Sequence, residues 1–270
     1  MATKSEHTYE RVLAEYYDHV PLYANRPDVE FYVNVAREAR GKILELGCGT
    51  GRILIPTAVA GCNVVGLDLS EAMLAKCHEK LERQPAEVQE RARLVQGNMA
   101  DFELGEKFPL VMIPFRGFQH LMRVEEQLSC LRAAHRHLES GGRLVFDMFH
   151  VLPEAMHDPE WMKEREDTPE TQLPDGRRFR RTHRVTAFHR GEQFNEVEFA
   201  IYVKHPDGRT ERLTDKFPFR YFFRYEVEHL LAGSGFRLVS LYGNFDRSAF
   251  ANDSPEMIFV AEKASERKAG

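Results

Sequence analysis

Lys42–Gly51 reads K-I-L-E-L-G-C-G-T-G. Lys42 to Glu45 has the composition of a buried strand, and glycines then alternate at Gly47, Gly49 and Gly51. Arg52-Ile53-Leu54-Ile55 opens a helical pattern directly after them. Strand, glycine turn and helix N-terminus together bring a backbone against a ligand, because glycine tolerates positive φ and has no side chain to hold a nucleotide away. A dinucleotide fingerprint would read G-x-G-x-x-G. Here Arg52 stands at the third-glycine position and Gly51 comes one residue early. The loop is also led by an acid, Glu45, which would repel a pyrophosphate but suits an ammonium group.

Working outward, Arg52–Ala60 predicts a helix ended by Gly61, and Cys62–Leu67 a valine-rich strand that stops at Asp68. Asp68 lies 21 residues after Gly47, the span of one βαβ unit, where a carboxylate can accept hydrogen bonds from both ribose hydroxyls. That acid suits a nicotinamide nucleotide equally well. Ser70 is an N-cap for a helix over Ala72–Arg83. A strand at Arg93–Gln96 is followed by Gly97-Asn98-Met99-Ala100-Asp101-Phe102, and a strand at Phe108–Phe115 by Arg116-Gly117-Phe118-Gln119-His120-Leu121. A helix over Glu125–Glu139, stopped by Ser140-Gly141-Gly142, leads to a fifth strand at Arg143–Phe149. In a doubly wound sheet, ligands bind beyond the carboxyl ends of the strands. Gly47, Asp68, Asn98 and His120 follow four such ends.

The pattern changes after residue 150, where polar and apolar residues alternate as in exposed antiparallel strands. Strands are expected at Arg178–His189, Gln193–His205 and Arg209–Phe222, with Pro206-Asp207-Gly208 a strong hairpin signal. A helix over Tyr225–Ala232 and strands at Phe236–Tyr242 and Met257–Glu262 close the chain. Before the glycine loop, Tyr9–Arg40 predicts two helices dense in aromatic residues.

Several of these stretches together resemble the class I S-adenosylmethionine-dependent methyltransferases. Glu45, Gly47, Gly49 and Gly51 match that family's E/D-x-G-x-G-x-G motif, and Asp68-Leu69-Ser70 with Met73-Leu74 resembles its D-L-S-x-x-M-L run. Asn98-Met99-Ala100-Asp101-Phe102 stands where the family has D-M-x-D-F. The asparagine departs from the acid that holds the adenine amino group, although its amide oxygen can still accept that N–H; an Asx-turn role is the other reading. Asp101 is read as bracing the loop.

The resemblance implies a Rossmann-like seven-stranded sheet of order 3-2-1-4-5-7-6 with an antiparallel β-meander inserted after strand 5. It implies a helical lid at residues 1–40, a cofactor-binding domain at 41–150 and 224–263, and an inserted subdomain at 151–223 acting as a cap or dimer surface. S-adenosylmethionine would be held by Tyr17, Tyr23, Glu45, Gly47, Cys48, Gly49, Gly51, Asp68, Leu69, Met73, Asn98, Met99, Ala100, Pro114 and Phe115. The inserted meander is similar to that of bacterial small-molecule members, including N,N-dimethyltransferases acting on nucleotide-linked amino sugars. In those a histidine beyond strand 4 and an N-terminal tyrosine are implicated at the substrate, and His120 and Tyr17 stand at the matching places. His120 is then a base or substrate orienter, with a structural histidine bonding backbone as its alternative, and Tyr17 a partner facing the site or a packed core residue. The reaction expected is in-line methyl transfer to nitrogen or oxygen of a small molecule. A non-catalytic S-adenosylmethionine binder and an NAD(P)-binding enzyme stay open, although Arg52, Met99 and the D-L-S run count against NAD.

Composition sets outer bounds. A net charge of −5 gives no reason to expect a nucleic-acid partner, and no run approaches the roughly 20 apolar residues of a membrane span. Cys48, Cys62, Cys77 and Cys130 show neither C-x-x-C spacing nor clustering with histidine, so neither a structural metal nor a disulfide framework is expected. The N-terminus lacks the apolar segment of a signal peptide, and a cytoplasmic location follows as the default. No N-P-P-Y-type tetrapeptide follows strand 4, where Ile113-Pro114-Phe115-Arg116 stands instead, which favours a small-molecule substrate over a macromolecule. A homodimer is a possible assembly.

Overall fold

A computed structural model of the chain describes residues 14–151 and 158–264. After a 3-10 turn at Tyr17–His19 and a one-turn helix at Pro21–Ala24, the elements in chain order begin α1 (Asp28–Ala39), β1 (Ile43–Leu46), α2 (Leu54–Val59), β2 (Val64–Asp68) and α3 (Glu71–Leu81). Next come α4 (Ala86–Arg91), β3 (Ala92–Gln96), β4 (Phe108–Ile113), a 3-10 turn at Gly117–His120, α5 (Val124–His137) and β5 (Leu138–Phe149). Four strands follow, β6 (Arg165–Gln172), β7 (Arg178–His189), β8 (Phe194–Lys204) and β9 (Thr210–Arg220). The chain closes with α6 (Arg224–Gly233), β10 (Phe236–Tyr242) and β11 (Glu256–Lys263).

The described chain divides into two units, one of Pro27–His150 with the segment from Phe222 onward, the other of the segment up to Arg26 with Val151–Tyr221. The first is built on a seven-stranded sheet ordered β3-β2-β1-β4-β5-β11-β10. With the four intervening strands set aside, this is the expected order 3-2-1-4-5-7-6. The first five strands run parallel, while β11 is antiparallel to both β5 and β10. Every residue of β1 and β2 is buried, as parallel strands covered on both faces must be. Ile43 stands in register with Val64 on one side and Leu110 on the other, so β1, β2 and β4 deliver their carboxyl ends to the same edge. Gly66 lets α2 approach: a Cβ there would stand 2.2 Å from Leu54 Cδ1. Most boundaries move by one or two residues from expectation, and the start of β5 moves furthest. β5 begins at Leu138 and takes in Ser140-Gly141-Gly142, because Gly141 adopts φ +73° and a register shift in the pairing with β4 absorbs the extra residues.

The second unit is a four-stranded antiparallel sheet ordered β6-β7-β8-β9. The Pro206-Asp207-Gly208 hairpin forms, with Gly208 at φ +87° and Asp207 Oδ1 accepting the Arg209 N–H at 3.0 Å. Sequence reading missed β6. Its R-E-D-T-P-E-T-Q run is charged and carries Pro169, which suits only an edge strand, and its pairing with β7 is interrupted twice. Tyr16 packs with Leu173, Phe179, Ile201 and Val203 in this unit's core.

The described part of residues 1–40, expected as a lid, is divided between the two units. Residues 14–26 associate with the antiparallel sheet, where Tyr16 and Phe179 have ring centroids 5.0 Å apart. The helix α1 belongs to the parallel unit because Phe31, Tyr32 and Ala36 are buried against Ile43, Leu54 and Leu110. The Tyr9–Leu13 part of the first predicted helix lies outside the described residues.

Candidate active site

The turn after β1 is made by left-handed glycines, Gly47 at φ +71°, Gly49 at +54° and Gly51 at +79°. Their roles differ. A Cβ on Gly51 would meet Cys77 Sγ at 2.5 Å, so Gly51 packs the loop onto α3. A Cβ on Gly49 would meet nothing within 4 Å among the described residues, so its side is open there. Cys48 is buried beneath the turn, its N–H and that of Gly47 both reaching the Leu67 carbonyl at 3.2 and 2.7 Å.

Asp68 joins this loop to the next. Its Oδ2 accepts the Gly49 N–H at 2.7 Å and its Oδ1 the Ser70 N–H at 2.9 Å. Burial pushes the Asp68 carboxyl up, and the backbone donors from Ser70, Gly49 and Leu69 offset part of that rise. Each carboxylate oxygen keeps acceptor capacity beyond one N–H, so two hydroxyls can still bond there. Ser70 caps α3 as predicted, its Oγ accepting the Met73 N–H at 3.3 Å. Leu69 is exposed beside the acid and Met73 is half-buried.

The turn after β3 gives Asn98 a local partner. Its Oδ1 accepts the Ala100 N–H at 2.9 Å, an Asx turn, while the Asp101 N–H reaches the Asn98 carbonyl at 2.9 Å. Met99 runs across the site. Its Cε lies 3.2 Å from the Cβ position of Gly47 and 3.8 Å from that of Gly117. The exits of β1, β3 and β4 therefore converge on one methyl group.

Beyond β4, Pro114 is buried and the chain turns sharply at Phe115 and Arg116, which adopt φ +55° and +64°. His120 ends the 3-10 turn that follows. Its side chain is exposed yet surrounded by enough protein that desolvation pushes the imidazole below the ordinary histidine value. It belongs to the parallel unit, as do the other predicted residues from Glu45 to Phe115. Tyr17 and Tyr23 belong to the antiparallel unit, their ring centroids 4.8 Å apart, with the Tyr23 oxygen accepting from Arg181 at 2.7 Å.

Residues 43–142 match the family described as a methyltransferase domain. A Streptomyces venezuelae dTDP-3-amino-3,4,6-trideoxy-α-D-glucopyranose N,N-dimethyltransferase is 28% identical, across 82% of this chain and 85% of its own. The crystal structure of DesVI from Streptomyces venezuelae superposes with a TM-score of 0.70 at 23% identity, covering 98% of this chain and all of that one. CalS10 from Micromonospora echinaspora, an amino pentose methyltransferase solved with S-adenosylmethionine bound, gives 0.68 at 24% identity over 98% of each chain. At these identities the two structures establish likeness of fold. The chain is an S-adenosylmethionine-dependent methyltransferase.

The methyltransferase carries a side chain suited to the cofactor's amino-acid head. Glu45 is 1% exposed, and its Oε2 has no hydrogen-bond partner among the described residues. Burial pushes its carboxyl well above the usual range; Arg52 opposes the shift, and Asp68 and Asp28 add to it. An orphaned buried acceptor among acids is satisfied by a cation, and the cofactor's ammonium is one. With the Asp68 carboxylate and an open-faced glycine beside it, the residues fit S-adenosylmethionine. The cofactor is thereby distinguished from NAD(P), and the non-catalytic alternative is not favoured. Among the described residues no cluster of His, Cys, Asp and Glu could hold a metal ion, and no helix is long and apolar enough to cross a membrane.

Sequence reading passed over residues that shape this site in the methyltransferase. Asp28 is fully buried and grips Arg52 through two bonds of 2.7 and 2.6 Å, and the Arg52 guanidinium lies 4.5 Å from the Phe115 ring centroid. Asp147 is fully buried near the end of β5. The available signal was an acid inside an otherwise apolar V-F-D-M-F run, since buried acids are rare unless partnered.

Proposed function

We propose that this methyltransferase methylates the amine nitrogen of a small polar ring compound of the amino-sugar class, with His120 receiving the proton that the nitrogen sheds. The observation that carries the reading is the His120 imidazole beyond β4, exposed and desolvated, hence neutral and able to accept a proton at pH 7. The N,N-dimethyltransferase likeness over more than four-fifths of both chains supports nitrogen as the acceptor atom.

When bound, S-adenosylmethionine supplies an electrophilic methyl group on a sulfonium sulfur. The protein's task is then placement. In this reading Glu45 holds the ammonium end, Asp68 the ribose hydroxyls, and Leu69, Met73 and Met99 cover the adenine. Asn98 spends its amide oxygen on its own turn and offers its exposed amide group to the base edge. Orientation of the acceptor in line with the methyl group supplies much of the barrier reduction. His120 converts an ammonium substrate to the amine with a free lone pair. Tyr17 is assigned a supporting hydroxyl role at the substrate on the resemblance alone. The reading also carries a cytoplasmic location and a homodimer, the latter checked by light scattering.

The test is to incubate the purified protein with S-adenosylmethionine and a panel of amino sugars and their hydroxyl counterparts, reading methyl additions by mass spectrometry. One or two additions confined to amines support the proposal. Methylation of the hydroxyl compounds alone would move the acceptor to oxygen.

A further inference from the structure

We propose that Tyr32 and Asp147 are positioning residues for methyl transfer, holding the loop beyond β4 in a strained course that serves cofactor binding. The strain is local and explicit. Phe115 and Arg116 are consecutive non-glycine residues in the left-handed region, at φ +55° and +64°. A side chain there crowds its own backbone, and such residues persist only where the surroundings over-determine them. They stand at the carboxyl end of a central parallel strand, between Pro114 and the turn that carries His120.

The surroundings grip Phe115 twice. Asp147 Oδ1 accepts the Phe115 N–H at 2.8 Å, and the same oxygen accepts the Tyr32 hydroxyl at 2.6 Å. Both side chains are fully buried, so these bonds are made away from competing water. The Phe115 ring is held by the Arg52 guanidinium 4.5 Å from its centroid, and Arg52 is itself fixed by Asp28. Asp28 and Tyr32 lie four residues apart on α1, hence on one face of that helix. One turn of α1 thus reaches both the residue after the glycine loop and the elbow after β4. Arg116 is anchored separately, to Glu256 at 2.9 Å. The arrangement fixes where Phe115 and the following Gly117 lie relative to Met99, the residue on which the loops converge.

The test uses the full-length protein, with S-adenosylhomocysteine binding measured by calorimetry well below the melting temperature and thermal denaturation measured in parallel. Tyr32→Phe keeps the ring in the core and removes only the donor to Asp147. It is expected to weaken binding on the order of ten-fold while the protein stays folded at the assay temperature. Asp147→Asn keeps an Oδ1 acceptor for both bonds and is expected to bind within about three-fold of the parent, whereas Asp147→Leu loses the affinity. Unchanged binding by Tyr32→Phe would overturn the proposal. So would an Asp147→Asn variant as weak as Asp147→Leu, since charge rather than the shared acceptor would then be responsible. Tyr32→Phe decides the matter alone if Asp147→Leu does not fold.

Discussion

The Gly49 N–H donates to Asp68 Oδ2 at 2.7 Å, so the glycine loop and the acid that ends β2 form one unit. The carboxylate fixes the loop, and in the proposed reading it also accepts from the ribose. Asp68→Ala should therefore abolish measurable S-adenosylhomocysteine binding. Asp68→Asn keeps one acceptor and should lose about 10- to 100-fold, the range for a hydrogen bond to a charged group. Calorimetry on folded protein decides this. Tight binding by Asp68→Ala would mean the ribose lies elsewhere.

Gly49 and Gly51 make a paired prediction. Alanine at either must adopt positive φ, at a cost of about 1–2 kcal/mol. At Gly51 the new methyl also strikes Cys77 Sγ at 2.5 Å and Ile55 at 3.1 Å, adding about 1–3 kcal/mol of overpacking. Gly51→Ala should thus be the less stable variant by denaturant titration. Gly49→Ala, with nothing within 4 Å, should remain the better folded and lose cofactor affinity instead. Equal stability of the two would contradict the packing account.

Glu45 gives a pH-dependent test. Its folded carboxyl is raised by burial, so its contribution to stability is fully present below the unfolded value near 4.5 and is lost as pH rises through the folded value. Glu45→Gln removes that loss. Without ligand, the melting temperature of Glu45→Gln relative to the parent should climb with pH from about 4.5 upward, and at pH 7 the variant should be the more stable. The same variant should bind S-adenosylhomocysteine on the order of ten-fold more weakly. A melting difference that is flat with pH would show that the carboxyl is not desolvated.

The contrast between Glu45 and its neighbours shows what a sequence can carry. The glycines, Asp68, Asn98 and His120 were legible because each stands at a strand end, and the alternation of strands with helices marks those ends locally. The turn chemistry of Ser70 and of Asp207-Gly208 was legible for the same reason. The bonds of Asp28 to Arg52 and of Tyr32 to Asp147 were not, since the latter joins residues 115 apart and leaves no periodicity. Nor was β6, whose charges and Pro169 mask a strand that is only an edge. The association of Tyr16 and Tyr23 with the antiparallel sheet depends on Phe179 and Arg181, which the N-terminal aromatic pattern does not announce.

His120 should set the acid limb of the pH–rate profile. Desolvation favours its neutral form, so the folded pKa lies below the ordinary value near 6.5. The form competent to accept a proton therefore persists at pH 6.5, and kcat/KM should fall only at lower pH. His120→Asn should remove that limb and lower turnover on the order of 100-fold. The sign for stability is the same: the contribution is present above 6.5 and is lost as pH drops through the folded value. A near-normal kcat in His120→Asn with only a raised KM would reduce His120 to an orienting group.

Arg181 and Asp167 carry the strongest stability prediction. Arg181 is 2% exposed, and its Nε and one terminal nitrogen donate to the two Asp167 oxygens at 2.9 Å each. Its other terminal nitrogen donates to the Tyr23 oxygen at 2.7 Å, while the Tyr23 and Phe199 rings lie 4.7 and 4.4 Å away. Removing one partner of such a pair strands a buried charge, at about 3–5 kcal/mol, whereas replacing both with apolar groups of similar volume can be nearly neutral. Asp167→Leu alone should therefore destabilise the protein by about that amount, and Arg181→Met in the same chain should restore most of the loss. Denaturant titration of the single and double variants measures the coupling directly. Additive losses in the double variant would mean that each side chain is held by its other contacts and that the pair contributes little of its own.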